Sequence, residues 1–152
     1  MDKSEIKREI IFLCKSEIEK KIELHTKAMQ DAQDTANKYK GAMESRYDTF
    51  KEEAQQRRDS HARQIDISLK QKSILMNLNN QLKTNVEFGS VIETEDTLYF
   101  ICFFITEDNL SVHGKELITL REDTPLGQIL MGKKAGEAIK FNSQTINILD
   151  LY

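Results

Sequence analysis

From Asp2 to Tyr39, apolar or small residues return every three or four positions: Ile6, Ile10, Cys14, Ile18, Ile22, His25, Met29, Ala32, Ala36 and Tyr39. That spacing places them on one face of a helix, with charged residues over the rest of its surface. Asp2, with Glu5 three positions on, supplies a capping-box start. A second stripe follows through Met43, Tyr47, Phe50, Ala54, Arg57, His61, Ile65, Leu69, Lys72 and Met76. Between the two stripes lies Lys38 to Asp48, KYKGAMESRYD, which contains the only glycine before Phe88; proline is absent over the same span. A lone glycine at that midpoint is where a long helix folds back on itself. Two arms of matching length then form an antiparallel coiled-coil hairpin over residues 1–80, each about 60 Å long at 1.5 Å per residue. One unbroken helix that tolerates Gly41 is the alternative.

Reflecting the chain about Gly41 puts position 25 opposite position 57, so His25, Arg57 and His61 form a polar layer midway along the seam. Such layers fix register. Large aliphatics gather at the base of the seam, and alanines, tyrosines and Phe50 gather toward the tip.

The pattern changes after Asn77–Asn85, NLNNQLKTN, the joint to a second part over 81–152. VEFGSVI, TLYFICFFI, LSVHGKELITL, EAIKF and TINILDL are rich in β-branched and aromatic residues and alternate with turn-formers, as strands do. Asp96, Asp108-Asn109, His113-Gly114 and Asn142-Ser143 mark the turns. Thr124 fits a helix N-cap, Pro125 the first helical position and Gly132 the stop, which predicts one short helix. The predicted fold is therefore α+β: a long helical hairpin, then a small antiparallel sheet domain with one short helix.

Charge separates the two parts. Residues 1–85 carry 17 Lys+Arg against 14 Asp+Glu, and residues 86–152 carry 5 against 11, within a net charge of −3. No apolar run approaches the ~20 residues of a membrane span, and the charged beginning MDKSEIKREI is not a secretory signal. The two cysteines, Cys14 and Cys102, have no metal-ligand spacing and read as buried thiols of a reducing cytoplasm. No Walker loop, dinucleotide fingerprint, zinc motif or Ser-His-Asp set is present.

TPLGQILMGKKAGEAIKF, Thr124 to Phe141, resembles the C-terminal signature of the Gre-type (GreA/GreB-like) bacterial transcription elongation and transcript cleavage factors. The matching positions are Thr124, Pro125, Gly127, Gly132, Lys133, Lys134 and Gly136. The two-part plan, hairpin then sheet domain, is similar over nearly the whole chain. The resemblance implies an FKBP-like C-terminal domain that docks on bacterial RNA polymerase through Pro125, Leu126, Gly127, Gly132, Lys133 and Lys134. It also implies a coiled coil that reaches through the secondary channel, and no cofactor beyond Mg²⁺ shared with the polymerase active centre. Any RNA cleavage is then the polymerase's own activity, stimulated by tip carboxylates that help to position the metal.

The tip departs from that family's Asp-x-x-Glu pattern. Gly41-Ala42-Met43-Glu44 lacks the first acid. Glu44 and Asp48, one helical turn apart, are the candidate catalytic and metal-positioning carboxylates; reflection about Gly41 adds Asp34. Lys38, Lys40 and Arg46 surround them. Arg57, Arg58 and Arg63 make the second arm basic and are candidates for contact with nascent RNA. The expected partner is bacterial RNA polymerase, with nascent RNA touched indirectly, no membrane, and a monomeric cytoplasmic protein. A non-cleaving factor that occupies the channel, and a coiled-coil adaptor that binds a helical partner, are the rival functions.

Overall fold

The computed structural model describes residues 2–38, 44–78 and 81–152, and within residues 44–47 the backbone alone. The element order is α1 (Lys3–Lys38), α2 (Glu44–Met76), β1 (Val91–Glu93), β2 (Thr97–Ile101), β3 (Leu110–Val112), β4 (Lys115–Leu120), α3 (Pro125–Leu130), β5 (Ala138–Phe141), β6 (Gln144–Asn147) and β7 (Asp150–Leu151). Gly41, the predicted fold-back point, lies outside the described residues. The chain divides into two compact units: Met1–Cys14 with Asn77–Tyr152, and Lys15–Met76. The first turns of α1 thus pack with the sheet rather than with the hairpin.

Asp2 starts α1 as its composition predicts, its carboxylate accepting from the Ser4 N–H at 3.2 Å. Within the hairpin unit, the α1 seam runs where the apolar stripe placed it. Ile18, Ala32 and Ala36 are buried, and Ile22, His25 and Met29 are partly so. The two helices run antiparallel, because Glu19 meets Lys72 while Gln33, further along α1, meets Arg58.

Two expectations about α2 need correction. The centre of the pairing falls at positions 43–46 rather than at Gly41, so His25 faces His61 and not Arg57. The seam also follows Ala54, Arg58, His61, Ile65, Ser68, Lys72 and Leu75, alternating gaps of four and three. The expected Leu69 and Met76 are 49% and 61% exposed, whereas their neighbours Ser68 and Leu75 are buried. Three successive gaps of four in the expected stripe, from Arg57 to Leu69, let it drift off the heptad seam. Arg57 is exposed and pairs with Glu53 of its own helix at 3.8 Å.

In the other unit, five strands form a sheet in the order β3-β4-β2-β1-β7, and β5-β6 form a separate hairpin. The sheet is mixed rather than wholly antiparallel. β4 lies parallel to β2, with Thr97 opposite Glu116 and Ile101 opposite Leu120. The predicted strand TLYFICFFI ends at Ile101, and residues 102–109 then carry the chain back so that β3 and β4 enter as a hairpin. β4, not β3, takes the place beside β2. That hairpin turns through His113 (φ 51°) and Gly114 (φ 77°), and the β5-β6 turn through Asn142 (φ 48°) and Ser143 (φ 63°). Two central residues with positive φ are the tight hairpin turn that suits the twist of the strands.

The core of this unit gathers Val86, Ile92, Ile101, Leu130, Ile139, Ile148 and Leu151, with Leu126 and Met131 of the α3 region packed against it. The first turns of α1 are held to the same unit by polar contacts. Lys3 pairs with Asp150 at 2.7 Å, the Lys7 ammonium donates to the Gln81 carbonyl at 3.0 Å, and Glu9 meets His113 at 2.8 Å. Cys14 and Cys102 are both buried. Burial, and then the nearby Cys14, push the Cys102 thiol far above its usual range, so it is a packing group and not a nucleophile.

Candidate functional site

The α3 turn is built by its sequence residue by residue. Thr124, in extended conformation, accepts through Oγ1 from the Gly127 N–H at 3.1 Å and donates to the Arg121 carbonyl at 2.8 Å. One hydroxyl therefore satisfies an orphan donor of the helix and ties it to the preceding strand. Pro125 follows in the first turn, where no N–H is required. Gly127 leaves room that nothing larger could use: an added Cβ would lie 2.1 Å from the Arg121 carbonyl oxygen.

The helix ends at Leu130 with Met131 as its C-cap, and Gly132 follows with a φ of 77° that favours glycine. Gly132 N–H donates to the Val86 carbonyl, and Val86 N–H donates to the Lys133 carbonyl, both at 2.9 Å. The Lys133–Lys134 turn is thereby tied to the segment that leads into the sheet. Beyond it, the Glu137 carboxylate accepts from the Lys134 N–H at 2.5 Å, and Gly136 donates to the Ile148 carbonyl at 2.8 Å.

The six candidate docking positions thus divide by what they do in the fold. Gly127 and Gly132 shape the backbone, and Leu126 is half-buried against the core. Pro125 and Lys134 face solvent, with Lys133 half-exposed. Gln128 and Ile129 are exposed on the same helix and were not singled out by the sequence. Leu126 and Leu130, one turn apart, face inward, whereas no periodic signal sets Ile129 apart, since it stands three positions from Leu126.

At the other candidate site, α2 begins at Glu44, whose side chain lies outside the described residues, and Asp48 is exposed. Asp34 is also exposed and accepts from Gln30 at 3.0 Å. The observed register sets the Gln33 level opposite Arg58. That leaves Asp34 roughly two to three helical turns along α2 from Asp48, so reflection about Gly41 had placed the two carboxylates too close together. Among the described residues, no group of three or more His, Cys, Asp or Glu could hold a metal ion.

The three arginine candidates are not equivalent. Arg57 and Arg63 are exposed, whereas Arg58 sits partly buried in the seam, donating to Gln33 at 3.3 Å and lying 3.6 Å from Asp59. Arg58 is therefore committed to the hairpin. Midway along the seam, His25 Nδ1 and His61 Nδ1 approach to 2.8 Å. Burial first, then His61, then Lys21, hold His25 below the usual histidine range. Among the described residues, no helix is long and apolar enough to cross a membrane.

No protein-family profile and no curated protein matches the chain. Among solved structures it is similar to the GreA factor homolog 1 (Gfh1) protein of Thermus thermophilus, with 16% identity and a TM-score of 0.37 over 91% of this chain and 94% of that one. A second structure, of the transcription factor Gfh1, is 14% identical with a TM-score of 0.35, covering 91% and 92% of the two chains.

Proposed function

We propose that this chain is a bacterial RNA polymerase-binding transcription factor that acts through the secondary channel of the enzyme. The observation that carries the reading is the Thr124–Gly136 segment. Its residues resemble the Gre-type docking signature, and they fold into a threonine-capped short helix, a left-handed Gly132 and a lysine turn braced on the segment that leads into the sheet, which supports the reading. The same chain carries a two-helix hairpin ahead of the sheet domain. Pro125, Ile129, Lys133 and Lys134 are the side chains available to a partner, since few positions of an interface hold most of its energy. The hairpin is the part that enters the channel, where Arg57 and Arg63 face the nascent transcript.

RNA cleavage is the finer question. Glu44 and Asp48 are the carboxylates offered to a polymerase-held Mg²⁺; Asp34 is not in register with them. In two-metal phosphoryl chemistry such groups act by positioning the second ion. A backtracked elongation complex given the protein and Mg²⁺ separates the outcomes. Shortening of the RNA from its 3′ end, lost in Glu44→Ala or Asp48→Asn with binding retained, marks a cleaving factor. Displacement of a known cleavage factor without shortening marks a channel-occupying regulator. Failure to bind core polymerase at all refutes the reading and favours the coiled-coil adaptor.

A further inference from the structure

Midway along the hairpin seam, where a coiled coil ordinarily places aliphatics, two imidazoles meet nitrogen to nitrogen. His25 Nδ1 and His61 Nδ1 are 2.8 Å apart, with ring centroids at 5.1 Å and planes tilted by 43°. A centroid separation this large for so short a nitrogen contact means that the two rings point head-on at each other rather than stacking. Both rings are half-buried, between Ile18 and Ile22 toward the base and Met29 and Ala54 toward the tip.

Two nitrogens at this distance hold one proton between them. In the neutral pair, one ring is the Nδ1–H tautomer and donates; the other offers its Nδ1 lone pair and carries its own proton on Nε2. A first added proton goes to the Nε2 of the donor ring, and the hydrogen bond survives with a charged donor. A second proton can be taken only on the accepting Nδ1. Two N–H groups then face each other, the bond is lost, and two cations share one layer.

The surroundings add to that penalty. On α1, Lys21 stands one turn toward the base; on α2, Arg58 occupies the adjacent seam position toward the tip, with Asp59 beside it at 3.6 Å. Arg57 beyond it is paired with Glu53. The nearest seam charge on α1 is thus a cation, Lys21, while Arg58 on α2 is offset by Asp59.

We infer that the His25–His61 pair is a proton-operated clasp on the hairpin, closed while the pair holds no more than one added proton and opened by the second. The clasp sits in the middle of the seam, so its opening loosens the helices on both sides of the layer without unfolding the sheet domain. This inference does not depend on the polymerase reading; a hairpin with any partner would be stiffened or slackened by the same two rings. Burial holding His25 below its usual range fixes the direction. The neutral form is favoured in the folded hairpin, so the stabilisation is complete above pH ~6.5 and is lost as pH falls through the lower folded value.

The test uses the whole chain labelled with ¹⁵N. Imidazole nitrogen shifts are followed from pH 8 to pH 5, together with amide exchange across residues 18–29 and 54–68. The expected result is coupled titration of the pair in two steps, the second accompanied by loss of the shared Nδ1–Nδ1 hydrogen bond. Amide protection in those segments should fall across that second step. His61→Gln keeps a polar group in the layer but cannot take the second proton, so its loss of protection over the same range should be clearly smaller, leaving only what the partly buried His25 contributes alone; should that variant fail to fold, His61→Leu replaces it. Independent titration of the two rings with unchanged protection, or the same acid loosening in the variant, would overturn the inference.

Discussion

The Lys7 ammonium has no exposed surface and donates to the Gln81 carbonyl oxygen at 3.0 Å. Desolvation, reinforced by Lys83 and opposed by Glu87, brings its pKa down to about 8. Its folded value lies below its unfolded one, so the charged form is penalised in the fold. Between pH 8 and 10.5 the unfolded chain keeps a proton that the folded chain has given up, and stability rises with pH. Denaturant titrations should show a gain on the order of 2–3 kcal/mol over that window. Lys7→Met should abolish the rise and stabilise the protein by about 1 kcal/mol at pH 7, because it removes the desolvated charge. A Lys7→Met protein that keeps the alkaline rise would assign it to another group.

Tyr152 is fully buried, and among the described residues its hydroxyl has no hydrogen-bond partner. Leaving such a group unsatisfied costs about 1–3 kcal/mol, so Tyr152→Phe should be neutral or stabilising. Tyr152→Ala removes the ring as well and should cost about 3–5 kcal/mol. Chemical denaturation of the two variants side by side checks both statements; a large loss in the phenylalanine variant would mean that the hydroxyl is bonded.

The corrected hairpin register has a direct mutational reading. Leu75 is fully buried and Met76 is 61% exposed. Leu75→Ala should cost about 2–5 kcal/mol, while Met76→Ala should change stability by less than about 0.5 kcal/mol. The opposite ranking would restore the seam expected from the apolar stripe.

That contrast also shows why one helix was legible in the sequence and the other was not. On α1 the seam is apolar or small at nearly every position from Ile10 to Ala36, so periodicity alone identifies it. On α2 the seam positions 58, 61, 68 and 72 are Arg, His, Ser and Lys, and the exposed flank carries Ile67, Leu69, Ile74 and Met76. Hydrophobicity therefore pointed to the wrong face below Ile65. The turns at His113-Gly114 and Asn142-Ser143, and the Thr124–Gly132 helix, were readable because each depends on local chemistry. The parallel placement of β4 beside β2 was not, since strand order is set by long-range packing that no local residue encodes. Gly127 and Gly132 were visible as parts of a motif, but only the close approach to Arg121 gives Gly127 its reason.

Variants of the α3 turn must separate folding from docking. Gly127→Ala places a Cβ 2.1 Å from the Arg121 carbonyl oxygen and should unfold or displace the turn. Thr124→Ala loses the cap and should cost about 1 kcal/mol. Ile129→Ser and Lys134→Glu change exposed side chains and should leave the melting transition nearly unmoved while weakening a partner's grip. Thermal denaturation run beside each binding measurement distinguishes the two kinds of effect.

The central claim is association with bacterial RNA polymerase through the α3 turn, and equilibrium binding of the intact, labelled chain to purified core enzyme tests it most directly. The account predicts saturable binding at one copy per polymerase. Binding should be displaced by an established secondary-channel factor and weakened at least about tenfold, or ~1.4 kcal/mol, by the folded Lys133→Glu/Lys134→Glu variant. No saturable binding, or binding that neither the competitor nor the charge reversal affects, would contradict it.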